Sequence, residues 1–335
     1  ATRKIKTAVR IPGSKSESNR ALILNALSGG SISIDNLSPA RDTQNLKRIL
    51  ESPDKEVDVL DAGTAMRFLA AYYAASGQNK IITGSERMLQ RPIHPLVNAL
   101  IDIGFDVHYM GEEGFPPLET HPANLSKLES EVWIEGNISS QFITALMLIA
   151  PFLPKGLTIK FTTALSSRPY VEMTAKMLSD FGVPVGWLPD GISILPSALS
   201  GNQYTVGGDW SAASYWYAVA FLADEAEILL EGLLDDWSQG DREIAEWMIR
   251  FGVDTEFTPQ GALIKKVSAS YPKMMKLNFR DNPDLAQTFA AMFAGGNVYS
   301  TFSGIESLKI KETDRIAALH NELLKFNVHF DFAEM

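Results

Sequence analysis

The sequence predicts an α/β protein built from five copies of one strand–helix–strand–helix–strands unit, and three observations predict it. The first is a helix type rich in Ala and other small residues, led by a polar or glycine-containing cap. It starts at Ser14 (SKSESNRALILNAL), Gly63 (GTAMRFLAAYYAASG), Ser139 (SSQFITALMLIAPF), Ser211 (SAASYWYAVAFLA) and Pro283 (PDLAQTFAAMFAGG); from Gly63 on, the starts lie 76, 72 and 72 residues apart. The second is an amphipathic helix that follows each of these. Examples are RPIHPLVNALIDIG, SRPYVEMTAKMLSDFG, DREIAEWMIRFG and KETDRIAALHNELLKFN, whose ends at Gly104, Gly182, Gly252 and Asn327 are 78, 70 and 75 residues apart. The third is the set of strand-like stretches between them, KIITG, EVWIEG, LTIKFT, EILLEG and NVYSTF. A fixed period shared by two helix types marks an internal repeat.

Each element has a local reason. Ser14 followed three residues later by Glu17 forms a capping-box pattern that places the first helix start, and DTQNLKRIL completes that first unit. The Ala-rich helices are apolar nearly all round, which places them inside the fold, while the amphipathic ones cover them. Ile244, Trp247, Met248 and Phe251 recur at helical spacing and make one apolar stripe. Chance similarity among Ala-rich helices is the alternative, and the spacing common to both helix types argues against it. On this period a sixth unit would begin at about residue 350. The sequence stops at Met335 after NVHFDF and lacks an initiator Met, so five of six units and a trimmed N-terminus are expected.

At 335 residues, with 45% hydrophobic and 21% charged side chains, the chain is long enough for two domains. A net charge of −10 argues against coating nucleic acid or anionic membrane, but allows a local basic pocket. With no cysteine, disulfides, thiolate metal sites and a Cys nucleophile are excluded. The five histidines, His94, His108, His121, His320 and His329, show no metal-ligand spacing. No apolar run reaches the roughly 18 residues of a membrane span, and ATRKIKTAVRIPGSK lacks the apolar core of a secretory signal. A cytoplasmic protein is expected, without nucleic-acid or membrane partners.

Several helices carry cations where the helix dipole is already positive. Lys15 sits at the first helix mouth with Arg20 one turn in; Arg91 and Arg168 directly precede Pro92 and Pro169; Lys311 opens KETDRIAAL, with Arg315 four residues later. A cation at a helix N-terminus costs about 0.3–1 kcal/mol. One such residue reaches solvent easily, but four helices of this kind in an acidic protein favour a multiply anionic ligand, a phosphate or carboxylate. Neither a G-x-x-x-x-G-K-[ST] loop nor G-x-G-x-x-G is present, which argues against a P-loop kinase or dinucleotide enzyme. Asp284 and Glu312 share helix mouths with the cations. Most acids in a first turn are ordinary dipole partners, so that company is what makes these two candidates.

PGSKSESNRALIL, DAGTAMRFLAA, ERMLQRPI, ISSQFITALMLIAP, SSRPYVEMT, GDWSAASYW and KETDRIAAL resemble, in order and across the whole chain, the signature blocks of the 5-enolpyruvylshikimate-3-phosphate synthase family. The resemblance implies a two-domain inside-out α/β barrel of six βαβαββ units, three per domain, with helix N-termini converging on an interdomain cleft. Domains of 1–13 with 203–335, and of 14–202, are expected. The implied reaction transfers the enolpyruvyl group of phosphoenolpyruvate to the 5-hydroxyl of shikimate 3-phosphate and releases phosphate. It needs no cofactor and no metal, and a monomer is the expected state.

Roles carry over residue by residue. By resemblance, Lys15 touches both substrates and acts in proton transfer or leaving-group stabilisation. Shikimate 3-phosphate is held by Lys15, Ser16, Arg20, Ser139, Ser140, Gln141, Ser167, Tyr170, Asp284, Ser307 and Lys311, with Ser139, Ser140 and Ser167 on its phosphate. Phosphoenolpyruvate contacts Lys15, Gly63, Arg91 and Arg315, with Gln141 bridging both ligands. Asp284 is the base on the 5-hydroxyl and Glu312 the proton carrier at carbon 3.

There are three departures from the family pattern. Asp61 stands where asparagine is expected in N-A-G-T-A, Ser307 where some members have asparagine, and a later Asp-His-Arg block and lysine fall beyond Met335. Two alternatives stay open: a UDP-N-acetylglucosamine enolpyruvyl transferase, which typically carries a reactive cysteine absent here, and a non-catalytic relative that holds shikimate 3-phosphate without chemistry.

Overall fold

The computed structural model describes residues 3–236 and 238–329. The chain divides into two compact units, Gly13–Val206 and a second made of Ala1–Pro12 with Gly207–Met335. The first strand, β1 (Lys4–Arg10), belongs to the second of these.

The Gly13–Val206 unit runs α1 (Lys15–Leu27), β2 (Ser33–Asp35), α2 (Arg41–Glu51), β3 (Glu56–Asp58), α3 (Gly63–Ala75), β4 (Lys80–Thr83), α4 (Glu86–Leu89), α5 (His94–Ile103), β5 (Asp106–Tyr109), β6 (Leu118–His121), β7 (Glu131–Ile134), α6 (Ser140–Ile149), β8 (Leu157–Phe161), α7 (Arg168–Asp180), β9 (Val185–Leu188), β10 (Gly191–Ile194) and β11 (Gln203–Thr205). Two four-stranded sheets share one design, β3-β4-β6-β5 and β7-β8-β10-β9. In each, the first pair is parallel and the rest antiparallel. A parallel pair requires a crossover, and α3 and α6 supply it. Strand β11 pairs in parallel with β2, so the last strand of the unit returns beside its first.

The three Ala-rich helices α1, α3 and α6 pack on one another. In α3 every residue from Ala65 to Ala74 is buried, because small side chains allow close approach on all sides. The amphipathic helices α2, α5 and α7 lie against α1, α3 and α6 in turn. Helices inside and sheets outside invert the usual α/β layering, as expected for the inside-out arrangement. Gly104 ends α5 in the left-handed region at φ 107°, a conformation glycine adopts without strain.

The second unit continues with α8 (Trp210–Leu222), β12 (Glu225–Glu231), α9 (Ile244–Ile249), β13 (Val253–Thr258), β14 (Gly261–Lys266), β15 (Met274–Asn278), α10 (Ala286–Gly296), β16 (Tyr299–Ser303) and α11 (Arg315–Leu324). Its main sheet, β1-β12-β14-β13, repeats the parallel-then-antiparallel design, and β15 pairs in parallel with β16 across α10. Ile244, Met248 and Phe251 are fully buried in its core, with half-buried Trp247 packed against them.

Three local expectations are corrected. The helix after Arg91 begins at His94, since the Ile93 amide is taken by the Gly114 carbonyl at 2.9 Å; Arg91 and Pro92 lie ahead of it rather than at its mouth. Lys311 does not open the last helix. Asp314 caps α11 by accepting from the Ile316 and Ala317 amides, so the helix starts at Arg315. Helix α8 is not buried all round: Tyr215, Val219 and Leu222 are exposed, and among the described residues it shares its core with one other Ala-rich helix, α10, instead of two. The second half of NVHFDF, residues 330–332, lies outside the described residues. No helix among the described residues is long and apolar enough to cross a membrane.

Candidate functional site

In the Gly13–Val206 unit the candidates gather around the starts of the inner helices. Ser14 caps α1 by accepting from the Glu17 amide, while the Glu17 carboxylate accepts from the Tyr204 hydroxyl at 3.1 Å. Lys15, at the first position of α1, is paired with Asp42 of α2 at 3.2 Å. That carboxylate offsets the unfavourable position of the ammonium on the dipole.

Arg20 is buried, 3% exposed. Its Nε donates to Thr174 Oγ1 at 2.8 Å, one terminal nitrogen to the Ser16 carbonyl at 2.8 Å, and the other to the Tyr170 carbonyl at 3.1 Å and Thr144 Oγ1 at 3.4 Å. Burial draws its pKa down to about 10, so it stays charged at neutral pH. Arg20 thereby ties Ser16 and Tyr170 into one cluster across α1, α6 and α7. Ser139 caps α6, accepting from the Gln141 amide, and the Gln141 side chain reaches Thr64 at 3.2 Å. Ser140 is buried in the first turn. Ser167 holds a left-handed conformation, φ 52°, immediately before α7, a turn that costs a non-glycine residue some strain.

A second cationic group surrounds the start of α3. Arg91 is 4% exposed and donates to the Asp61 carbonyl at 3.3 Å. Arg67, also buried, donates to the Gly63 and Pro92 carbonyls at 3.1 and 3.2 Å. The Asp61 carboxylate accepts from the Ser85 hydroxyl, which directs the extra charge of this departure toward the α4 cap. Arg67 was not a candidate from sequence, although it is the one charged residue of an otherwise apolar helix, four residues after Gly63. A Cβ on Gly63 would lie 2.5 Å from both terminal nitrogens of Arg91 and 2.8 Å from one of Arg67. The atoms in the way are ends of flexible side chains, so Gly63→Ala is expected to leave Tm nearly unchanged while displacing Arg91. Losing one charged contact is worth about 1.5–3 kcal/mol, so the KM for phosphoenolpyruvate should rise at least about tenfold; an unchanged KM would place Arg91 outside the donor site.

In the second unit Arg315 holds both candidate acids. One terminal nitrogen meets Asp284 Oδ1 at 2.7 Å, the other Glu312 Oε2 at 2.9 Å. Burial would lower the Arg315 pKa, but the two carboxylates outweigh it and hold it above the ordinary arginine value. Asp284 stands on the turn Pro283–Leu285 that leads into α10. Ser307 and Lys311 are half-buried on the segment before α11 and, among the described residues, neither hydrogen-bonds to Arg315. Sequence reasoning missed Asp241, 4% exposed, whose Oδ2 accepts from the Ser211 hydroxyl at 2.5 Å. Its signal was faint, an acid after a glycine ahead of a short helix.

Chemically, the first unit offers fixed cations and helix N-termini for anions. The second offers two carboxylates steadied by one guanidinium, a pair suited to moving protons.

A family model described as EPSP synthase (3-phosphoshikimate 1-carboxyvinyltransferase) matches residues 1–54 and 47–334. A protein named 3-phosphoshikimate 1-carboxyvinyltransferase from Bacteroides fragilis is 45% identical over 326 residues, covering 97% of this chain and 79% of that protein. Its namesake from Cellvibrio japonicus is 36% identical over 348 residues, covering 95% and 80%. Among solved structures, an EPSP synthase from Acinetobacter baumannii superposes with a TM-score of 0.72 at 20% identity, covering 96% of this chain and 78% of that one, a likeness of fold.

Proposed function

The chain belongs to the EPSP synthase family, and from that premise we infer that it transfers the enolpyruvyl group of phosphoenolpyruvate to the 5-hydroxyl of shikimate 3-phosphate, releasing phosphate. The observation that carries the chemistry is the single guanidinium of Arg315 holding Asp284 and Glu312.

The reaction is an addition followed by an elimination. Glu312 gives a proton to carbon 3 of phosphoenolpyruvate as Asp284 takes one from the 5-hydroxyl, and the oxygen bonds to carbon 2. The resulting tetrahedral ketal then loses a proton from carbon 3 and expels phosphate, restoring the double bond in the product. Glu312 is thus acid in the first step and base in the second. Arg315 has five N–H donors and spends two on the carboxylates, leaving donors for the phosphoenolpyruvate anion.

Most of the anion-holding roles fall to the other unit. Among the described residues Arg20 is a buried cation whose hydrogen bonds go to hydroxyls and carbonyls, which suits it to shikimate 3-phosphate, together with Ser16 and Tyr170 beside it. The hydroxyls of Ser139, Ser140 and Ser167 receive the phosphate, and Gln141 spans both ligands. Gly63 and Arg91 receive phosphoenolpyruvate, and Lys15 steadies the departing phosphate after exchanging Asp42 for substrate. Ser307 and Lys311 complete the shikimate 3-phosphate contacts. We read residues 1–13 with 203–335 as one functional domain and 14–202 as the other, with the roles divided between them. We read the chain as a cytoplasmic monomer acting on free metabolites, as its curated relatives' shared activity suggests for the location.

Phosphate release from phosphoenolpyruvate tests this directly. Release is expected only when shikimate 3-phosphate is present, with one enolpyruvyl product per phosphate. Shikimate 3-phosphate binding without release would favour the non-catalytic relative, and release driven by UDP-N-acetylglucosamine the other transferase.

A further inference from the structure

We propose that Gly136 is a positioning residue for phosphate recognition, letting the loops ahead of α6 and α7 close on each other so that Ser139, Ser140 and Ser167 address one phosphate. The inference rests on the reading of those serines as part of the shikimate 3-phosphate site.

The two loops leave the same end of one parallel pair. Strands β7 and β8 run side by side to Ile134 and Phe161, and their loops lead on to Ser139 and Ser167. The stitching continues past the strands. The Thr162 amide donates to the Ile134 carbonyl at 3.0 Å, and the Ser166 amide to the Gly136 carbonyl at 3.0 Å. Thr163 Oγ1 accepts from the Asn137 amide at 3.2 Å and donates to Asn137 Oδ1 at 3.0 Å. This clasp reaches the residue directly before Ser167 and stops just short of Ser139.

Gly136 makes the close approach possible. It lies outside the left-handed region, so its conformation does not call for glycine; the space around it does. A Cβ there would fall 2.8 Å from the Thr163 carbonyl oxygen and 3.2 Å from Leu165 Cα. Both are backbone atoms, so the loop itself would have to move. Leu165 is not free to retreat, because its side chain packs on the hydrophobic core. Nor do the helices part easily behind the loops, since Thr174 Oγ1 donates to Thr144 Oγ1 at 3.3 Å and pins α7 to α6.

Ser167 is the sensitive point. Its φ of 52° is a conformation that persists only where the surroundings fix it. On one side the Ser166 amide is held by Gly136. On the other, the Tyr170 amide donates to the Ser167 carbonyl at 3.1 Å, while Arg168 is paired with Glu172 at 2.7 Å and lies 5.1 Å from the Trp187 ring centre. A side chain at position 136 pushes on the first of these anchors and turns the Ser167 hydroxyl away from Ser139 and Ser140. A binding constellation tolerates only about 0.5 Å of such misplacement.

The test compares shikimate 3-phosphate with shikimate, which differs only by the phosphate, in calorimetric titrations of wild type, Gly136→Ala, Ser167→Ala and the double variant. Gly136→Ala should raise the Kd of shikimate 3-phosphate at least about tenfold, the loss of one charge-assisted hydrogen bond, and leave the Kd of shikimate within about twofold. Ser167→Ala should weaken shikimate 3-phosphate similarly by itself but add little on top of Gly136→Ala, because the two changes act on one contact. Thr163→Val opens the clasp without a clash and should cost about threefold on shikimate 3-phosphate alone, with Thr163→Ser keeping wild-type affinity; this pair decides the matter if Gly136→Ala does not fold. Equal losses for both ligands, no loss for either, or full additivity in the double variant would overturn the inference. A merely structural glycine gives the first of these, a lower Tm with both ligands weakened alike. Unchanged shikimate 3-phosphate affinity in Ser167→Ala would instead overturn the reading of Ser167 beneath it.

Discussion

Asp284→Asn is expected to lower kcat by about 10²- to 10⁴-fold, the range lost when a positioned general base is removed. The substitution keeps the size of the side chain and an oxygen that can still accept from Arg315, which it now meets at 2.7 Å. Glu312 remains on the other arm of the same guanidinium, so the fold around α11 should persist and Tm should move by only a few degrees. The loss should therefore appear in kcat rather than in shikimate 3-phosphate affinity, because an amide still accepts a hydrogen bond from the 5-hydroxyl but cannot take its proton. Steady-state kinetics with calorimetric binding separates the two. A fall in kcat of less than tenfold would move the base elsewhere, Glu312 being the next candidate.

The repeat was legible because it rests on composition. Ala-rich helices and their amphipathic covers recur at a fixed period, and the three inner helices of the Gly13–Val206 unit pack together as that pattern demands. Helix starts were harder to read. Arg91-Pro92 and Lys311 look like first-turn residues, but a carbonyl from Gly114 and the cap at Asp314 decide where α5 and α11 begin. These are contacts that no local window contains. The same holds for Lys15. Its place at the α1 mouth was read correctly, but its pairing with Asp42 depends on α2 folding back beside α1. Arg67 and Asp241 escaped for a related reason. Each is an ordinary charge in sequence and becomes notable only when burial removes it from water and sets it beside Gly63 or Ser211.

Arg20 offers the sharpest separation of binding from folding. Its four donor contacts reach hydroxyls and carbonyls of α1, α6 and α7, and its guanidinium lies 5.6 Å from the ring centre of Phe68 on α3. A buried cation held only by neutral acceptors is costly, and replacing buried charge with an apolar side chain of similar volume is often neutral or stabilising. Thr174 limits the damage further, since its hydroxyl already donates to the Tyr170 carbonyl at 3.0 Å and leaves that acceptor satisfied when Arg20 is gone. Arg20→Met is therefore expected to change Tm little, in either direction. Shikimate 3-phosphate binding is another matter. Two charge-assisted hydrogen bonds at about 1.5–3 kcal/mol each amount to roughly 10²- to 10⁴-fold in Kd. Calorimetric titration alongside thermal melting decides between the roles. A large fall in Tm with Kd unchanged would make Arg20 a structural staple, whereas lost affinity in a protein that melts normally would make it the cation retained for the substrate anion.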